Sequence, residues 1–398
     1  MDQARRRQVE AGWLAHVRAG GTTPWVQWLD ADRPAAGSPV ERLPGAAQIE
    51  TVRRLAEVSA EDQLLDGAEF ESLADLVLTR SAPGRGMAEQ PLSWGDTEAG
   101  SFGAPPIDPA LIPSDELTRV CVGVLAELMR GRRPDPDHAR ADRRRPWAKP
   151  FLLVGAPVST AALRSALAAD RKVEGGRRPE VLVVATNFDA MLQQVWTLRV
   201  LRGAEPRWDK FVARWAGRDQ LPIASDIPLL ADHWAERVGP ERVHVVVPEA
   251  DDDRNGHRHL RRTAATVLGF PEPSAPRRVD VPDLPPAAVD VLRRVNLVLG
   301  GRVDPDQRRA MVRDWVHTLF RETRQVRLRM PADLGDWAQE RSERMTQDLR
   351  AGGYPVHGDL EQIVSRRTAE ALDAPRSGRV LETALRACLL AAKRQEPR

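Results

Sequence analysis

The chain has 398 residues, more than one hydrophobic core usually organises, so two domains are expected. Its 59 Lys and Arg residues nearly balance its 57 Asp and Glu residues, and a net charge of +2 argues against a nucleic-acid binder that relies on bulk positive charge. The two cysteines, Cys121 and Cys388, lie in apolar helical patterns, which argues against a disulfide framework and predicts buried free thiols.

The amino-terminal stretch "MDQARRRQVEAGW" lacks the apolar core of a signal peptide, and no run approaches the roughly 18 apolar residues of a membrane span. A cytoplasmic protein is therefore expected. Arg-rich amphipathic segments leave contact with an anionic membrane surface open.

Residues 1–130 are predicted to form a helical N-terminal domain, because apolar residues recur every three or four positions in several segments. A long Gly/Pro-rich stretch, residues 81–113, predicts an extended loop within this domain. Trp25 and Trp28 are three residues apart, which favours a core anchor over a sugar-stacking platform.

Residues 131–149 are rich in Arg and have no apolar periodicity, so they are predicted to be an exposed linker. Contact with phosphate or lipid headgroups is the less favoured interpretation of this segment. Residues 150–398 are predicted to form an α/β domain with a helical C-terminal extension.

The second domain alternates short apolar runs with helical patterns. The runs "FLLVGA", "EVLVVAT" and "RVHVVVPE" are typical of buried parallel strands. The segments "TAALRSALAAD", "DAMLQQVWTLRVLRG" and "DIPLLADHWAERVG" between them are typical of helices. Right-handed crossovers would bring the strand ends to one edge, where ligands of such folds usually bind.

The order of these segments, over residues 150–365, resembles the sulfotransferase fold of bacterial carbohydrate-type sulfotransferase-like proteins, a P-loop-like α/β fold. Three segments carry the resemblance: "FLLVGAPVSTAALRSAL", "VLVVATNFDAMLQQVWTLRV" and "DIPLLADHWAERVGPERVHVVVPE". The family pattern has "GxPKTGTT" after the first strand and "TARD" after the second.

The resemblance implies a site for 3′-phosphoadenosine 5′-phosphosulfate, with the phosphosulfate held by backbone N–H groups where the first loop enters its helix. It implies nucleotide-binding roles for six residues: Gly155, Pro157, Ser159, Thr160, Thr186 and Asp189. The residues with which the family binds charge are replaced. The loop lysine is matched by Val158, and the arginine after the second strand is matched by Phe188.

Losing both cations would be costly. Removing one electrostatic donor from such a site costs roughly 2.7 to 4 kcal/mol in barrier, and a lost charge-assisted hydrogen bond costs about 1.5 to 3 kcal/mol more. Lys149, Arg164 and Arg199 lie near in sequence, and Arg164 is the candidate for a substitute cation, since it follows the loop by about one helical turn.

Other candidate sites are weaker. His257 and His259 follow acidic residues, but a solvated charged loop is favoured over a metal site, and no metal site is assigned. His244 alternates with Val in the third strand, which favours a structural residue over a general base. No nucleophilic triad emerges, and no residue is assigned to catalysis.

Two hypotheses follow. The first is a sulfotransferase-fold protein with a degenerate nucleotide site, no cofactor and a non-catalytic binding or scaffolding role, its partner being an unidentified protein or an envelope precursor. The alternative is an active sulfotransferase that uses phosphoadenosine phosphosulfate and transfers a sulfuryl group to a hydroxyl of a cell-envelope carbohydrate or lipid. The sequence favours the first and leaves the question of catalysis open.

Overall fold

A computed structural model describes residues 3–31, 44–79, 92–94, 107–131, 150–248, 256–276, 279–300, 302–320, 327–366, 372 and 374–395. The predicted linker, apart from Gly131, and most of the predicted loop at 81–113 lie outside these residues. No helix in the described part of the chain is both long and apolar enough to cross a membrane.

The described residues form fourteen α-helices. In chain order they are α1 (Gln3–Arg18), α2 (Trp25–Asp30), α3 (Ala46–Asp62), α4 (Gly67–Thr79), α5 (Ser114–Arg130), α6 (Pro157–Ala169), α7 (Phe188–Leu201), α8 (Trp208–Ala216), α9 (Ile227–Val238), α10 (Gly256–Leu268), α11 (Pro286–Leu299), α12 (Pro305–Leu319), α13 (Gly335–Ala351) and α14 (Ser377–Gln395).

Four strands form one parallel sheet in the order of the chain: β1 (Phe151–Gly155), β2 (Glu180–Val184), β3 (Val243–Val246) and β4 (Val356–His357). The α/β architecture and the first three strands were predicted from their apolar runs. All five residues from Val181 to Ala185 are fully buried, as expected for a strand covered on both faces.

The outer edge of β1 is covered by the turn that follows α6. Gly175 N–H donates to the carbonyl of Phe151 at 2.8 Å, and the Glu174 side chain accepts from Leu153 N–H at 2.8 Å. Arg164 donates to the Leu153 carbonyl at 3.2 Å. These contacts satisfy the Phe151 carbonyl and both backbone groups of Leu153 on this edge without another strand.

The chain divides into two compact units whose boundaries differ from the sequence prediction. The first unit contains residues 1–134, 290–321 and 376–398, and the second contains residues 135–289 and 322–375. The predicted α/β domain, 150–398, differs from this division, because α12 and α14 pack in the helical unit.

The helical unit is organised around α5, α3 and α14. Cys121 of α5 and Cys388 of α14 are buried free thiols, as predicted, and the Cys388 thiol donates to the Cys121 carbonyl at 3.3 Å. Trp25 is buried and its indole N–H donates to the Ser93 carbonyl at 2.6 Å, so it anchors a core. Trp28 is half-buried and stacks on His16 at 4.9 Å between ring centroids.

Candidate functional site: the carboxyl ends of β1 and β2

The turn after β1 contains the first predicted site residues and is held tightly against β2. Gly155 has a φ of +101°, and a Cβ at this position would overlap the carbonyl oxygen of Val184. The next amide, Ala156 N–H, donates to the same carbonyl at 2.8 Å. Close approach of two strands therefore requires glycine here, independently of any bound phosphate.

The N-terminus of α6 is closed by a side chain from α7. Gln194 Oε1 accepts from Val158 N–H at 3.0 Å and from Ser159 N–H at 3.4 Å. Gln194 Nε2 lies 3.4 Å from Ser159 Oγ and donates to it. Free N–H groups at a helix N-terminus are the groups that hold an anion, and two of them are here bonded within the protein.

The side chains of this turn point into the protein. Pro157 and Ser159 are buried, and Val158, which matches the family lysine, is 2 % exposed. Thr160 is also buried, and its hydroxyl donates to the Ala156 carbonyl at 2.9 Å. The apolar replacement at Val158 is thus part of the core of the unit.

The candidate for a substitute cation in the loop is engaged elsewhere. Arg164 pairs with Glu174 at 2.6 Å and donates to Leu153, on the outer edge of β1. Arg164, the candidate for a substitute cation, therefore does not reach back to the loop in this structure. Arg199 is exposed and lies over the ring of Trp215, 5.9 Å from its centroid. Lys149 lies outside the described residues.

The residue that matches the family arginine is also in the core. Phe188 is fully buried and packs edge to face against Trp337, with ring centroids 5.8 Å apart. Asn187 precedes it and caps α7, since its side chain accepts from Asp189 N–H at 3.1 Å. Asn187 Nδ2 also donates to the Val364 carbonyl at 3.0 Å, which joins a later segment to this strand end.

Asp189 is a half-buried carboxylate with its own partners. Ser365 Oγ donates to Asp189 Oδ1 at 2.6 Å, and the Met330 backbone N–H donates to the same carboxylate. Burial raises the pKa of Asp189, and the two hydrogen bonds and the charge of Arg327 offset that rise only in part. Thr186 Oγ1, beside it, is buried without a hydrogen-bond partner among the described residues.

The structure therefore gathers all six predicted site residues at the carboxyl ends of β1 and β2. Sequence reasoning missed two side chains that bond to members of this set, Gln194 to Ser159 and Ser365 to Asp189. Both act over a long sequence separation, 35 residues from Ser159 to Gln194 and 176 from Asp189 to Ser365. A local pattern carries no signal for such contacts.

The order of the strands in the sheet decides whether a ligand crevice is expected at their carboxyl ends. In open α/β sheets, ligands bind where successive connections run to opposite sides and the strand order reverses. The four described strands follow one another in chain order, without a reversal. Among the described strands, the carboxyl ends therefore lack the reversal of strand order that usually opens a ligand crevice.

The histidine candidates lie on two other elements, His244 on β3 and His257 and His259 on α10. His244 is two strands from β1, and its ring contacts His357 and Glu180. The predicted charged loop around His257 and His259 is wrong from Gly256 onward, because α10 begins there, while residues 251–255 lie outside the described part. Within the described ranges, no group of three or more His, Cys, Asp or Glu is arranged to hold a metal ion.

Comparison of the chain with protein-family models, with curated proteins and with solved structures finds no match.

Proposed function

We propose that this protein has a non-catalytic binding or scaffolding role, and that its second unit is a sulfotransferase-like α/β unit whose nucleotide site is closed from within. The observation that carries the proposal is the hydrogen bonding of Gln194 to the amides of Val158 and Ser159. In the family that the sequence resembles, the corresponding amides would hold the phosphosulfate.

Nucleotide binding would require Gln194 to leave these amides. A phosphate would then gain two N–H donors, but the carboxamide of Gln194, half-buried in α7, would have to find other partners. The phosphate would meet no lysine in the loop, because Val158 occupies that position and is packed in the core. Both changes oppose binding.

The second half of the site argues in the same direction. A 3′-phosphate would approach Phe188 in place of the family arginine, while Asp189 matches the aspartate of the family pattern. Phe188 offers no hydrogen-bond donor and no positive charge. The Ser365 hydroxyl, which could donate to an anion, is already used by Asp189 at 2.6 Å.

Calorimetric titration with 3′-phosphoadenosine 5′-phosphate, the desulfated product of the donor, tests the proposal. The native protein is expected to give no binding heat up to millimolar ligand. Gln194→Ala frees two amides and is expected to bind weakly or not at all, since both cations are still missing. Gln193→Ala, whose side chain instead accepts from Leu328 N–H, is the matched control and should behave like the native protein.

Micromolar binding by the native protein would overturn the proposal and bring forward the active sulfotransferase. In that case, transfer of labelled sulfate to a cell-envelope carbohydrate or lipid hydroxyl would be the next assay. Loss of that binding in Gln194→Ala would then assign Gln194 to the ligand rather than to closure of the loop.

A further inference from the structure

Two histidines from neighbouring strands are hydrogen-bonded on the sheet. His244 of β3 and His357 of β4 have ring centroids 5.3 Å apart, and His244 Nδ1 lies 3.1 Å from His357 Nε2. On its other side, His244 Nε2 lies 3.3 Å from Glu180 Oε2, at the start of β2. The three side chains form a chain across three strands, and the candidate site above uses none of them.

Starting from two neutral imidazoles, the hydrogen-bonded pair is compatible with no added proton or with one, but not with two. With both rings neutral, one imidazole N–H donates to the bare nitrogen of the other. With one added proton, His244 can carry the charge, donating to Glu180 through Nε2 and to His357 through Nδ1. A second proton, on His357, would set two N–H donors and two positive charges against each other across 3.1 Å.

Among the described contacts, a carboxylate faces His244 but none faces His357, so only a positive charge on His244 is compensated. Glu180 faces His244 and also lies 3.9 Å from Arg242, whose guanidinium donates to the Arg178 carbonyl. Burial and the charge of His244 lower the pKa of His357. The helices that pack on β3, α9 and α10, and the turn after β4 also carry charged or titratable residues: Asp232, His233, Glu236, Arg237, Arg258, His259, Arg261, Arg262 and Asp359. No hydrogen bond or ion pair of the described residues joins any of these to either imidazole.

The contact of β4 with β3 is small, so the histidine pair is a substantial part of it. β4 has two residues, and the amides at the margins of its pairing donate from Val245 N–H to the Pro355 carbonyl at 2.9 Å and from Val247 N–H to the His357 carbonyl at 2.8 Å. The segment that follows β4 continues to Val364 and Ser365, which bond to Asn187 and Asp189. Loosening β4 would therefore also free one end of the segment that bonds to the residues after β2.

We propose that His244 and His357 form a proton-operated latch, in which binding of a second proton breaks their hydrogen bond and releases β4 from β3. The latch is closed at neutral pH and opens as the pH falls below the ordinary histidine range. The sign follows from linkage: a His357 freed from the sheet binds the proton more readily than a docked one, so acid favours the open state.

Amide hydrogen exchange in the native protein tests the latch. Exchange at Val245 and Val247 reports on the β3–β4 contact, while Ala185, which donates to the Val246 carbonyl at 2.9 Å, reports on the neighbouring β2–β3 contact. After correction for intrinsic rates, exchange at Val245 and Val247 should accelerate relative to Ala185 by about an order of magnitude between about pH 7.5 and about pH 5. An unchanged ratio would overturn the proposal.

His357→Gln removes the titrating group while keeping an N–H donor for His244, so this variant should lose the acceleration. His233→Gln removes an exposed histidine of α9 and should keep it. Acceleration that persists in His357→Gln would refute the latch. If that variant does not fold, His244→Gln provides the same comparison, and the ratio in the native protein is decisive without any variant.

Discussion

At the scale of single residues, the turn after β1 is explained by packing. Gly155 is required because β2 approaches too closely for a side chain. Gln194 accepts the hydrogen bonds from the loop amides that an anion would otherwise accept. A glycine and a helix N-terminus after a strand predict a phosphate loop from sequence. In this chain the glycine is explained by the close approach of β2, and the amides at the helix N-terminus are hydrogen-bonded to Gln194.

Gly155→Ala should destabilise the second unit strongly. The positive φ alone costs on the order of 1 to 3 kcal/mol for a residue with a Cβ, and overlap with the Val184 carbonyl adds to that cost. Gly269→Ala is the matched control, since Gly269 also has a positive φ, +67°, but open space around its Cβ position. Urea unfolding should give the larger loss for Gly155→Ala, and equal losses would contradict the close approach.

At the scale of elements, local patterns carry most of the fold. The apolar runs predict β1, β2 and β3, and the helical spacing predicts α6, α7 and α9, because burial on both faces or on one stripe is visible within a short window. The two-residue strand β4 has no such window, and its pairing with β3 depends on residues more than a hundred positions away. The covering of the β1 edge by Glu174 and Arg164 is likewise a tertiary contact.

Arg164 and Glu174 should act together in stabilising the β1 edge. Arg164→Ala is expected to lower the free energy of unfolding by about 1 kcal/mol, because a partly exposed ion pair and one hydrogen bond to Leu153 are lost. A double-mutant cycle with Glu174→Ala should give a coupling of roughly 0.5 to 1 kcal/mol. Strictly additive losses would contradict this, and Arg199→Ala, on the exposed face of α7, is the control.

At the scale of the whole molecule, the order of the chain and the division into units do not coincide. The helical unit is completed by α12 and α14, which follow the sheet in sequence. Continuity along the chain favours one C-terminal domain from 150 to 398. The packing of the helical unit depends on the apolar faces of α5 and α14. An apolar face in the sequence does not indicate which other helix it will contact.

Each unit should lose stability separately when its own core is damaged. Leu389 of α14 is fully buried in the first unit, and Leu389→Ala is expected to cost about 2 to 5 kcal/mol. Amide exchange should then accelerate in α3 and α5 and stay unchanged in β1 and β2. Leu182→Ala, fully buried in β2, should give the reverse pattern. Equal acceleration in both units after either change would contradict the division.

The most direct test of the account is to observe the amides of Val158 and Ser159 by NMR while 3′-phosphoadenosine 5′-phosphate is added. If Gln194 closes the loop, the resonances of both amides and of the Gln194 carboxamide stay in place up to millimolar nucleotide. Saturable shifts of these three groups at micromolar nucleotide would contradict the account, since they would mean that the nucleotide displaces Gln194 and that the loop still binds phosphate.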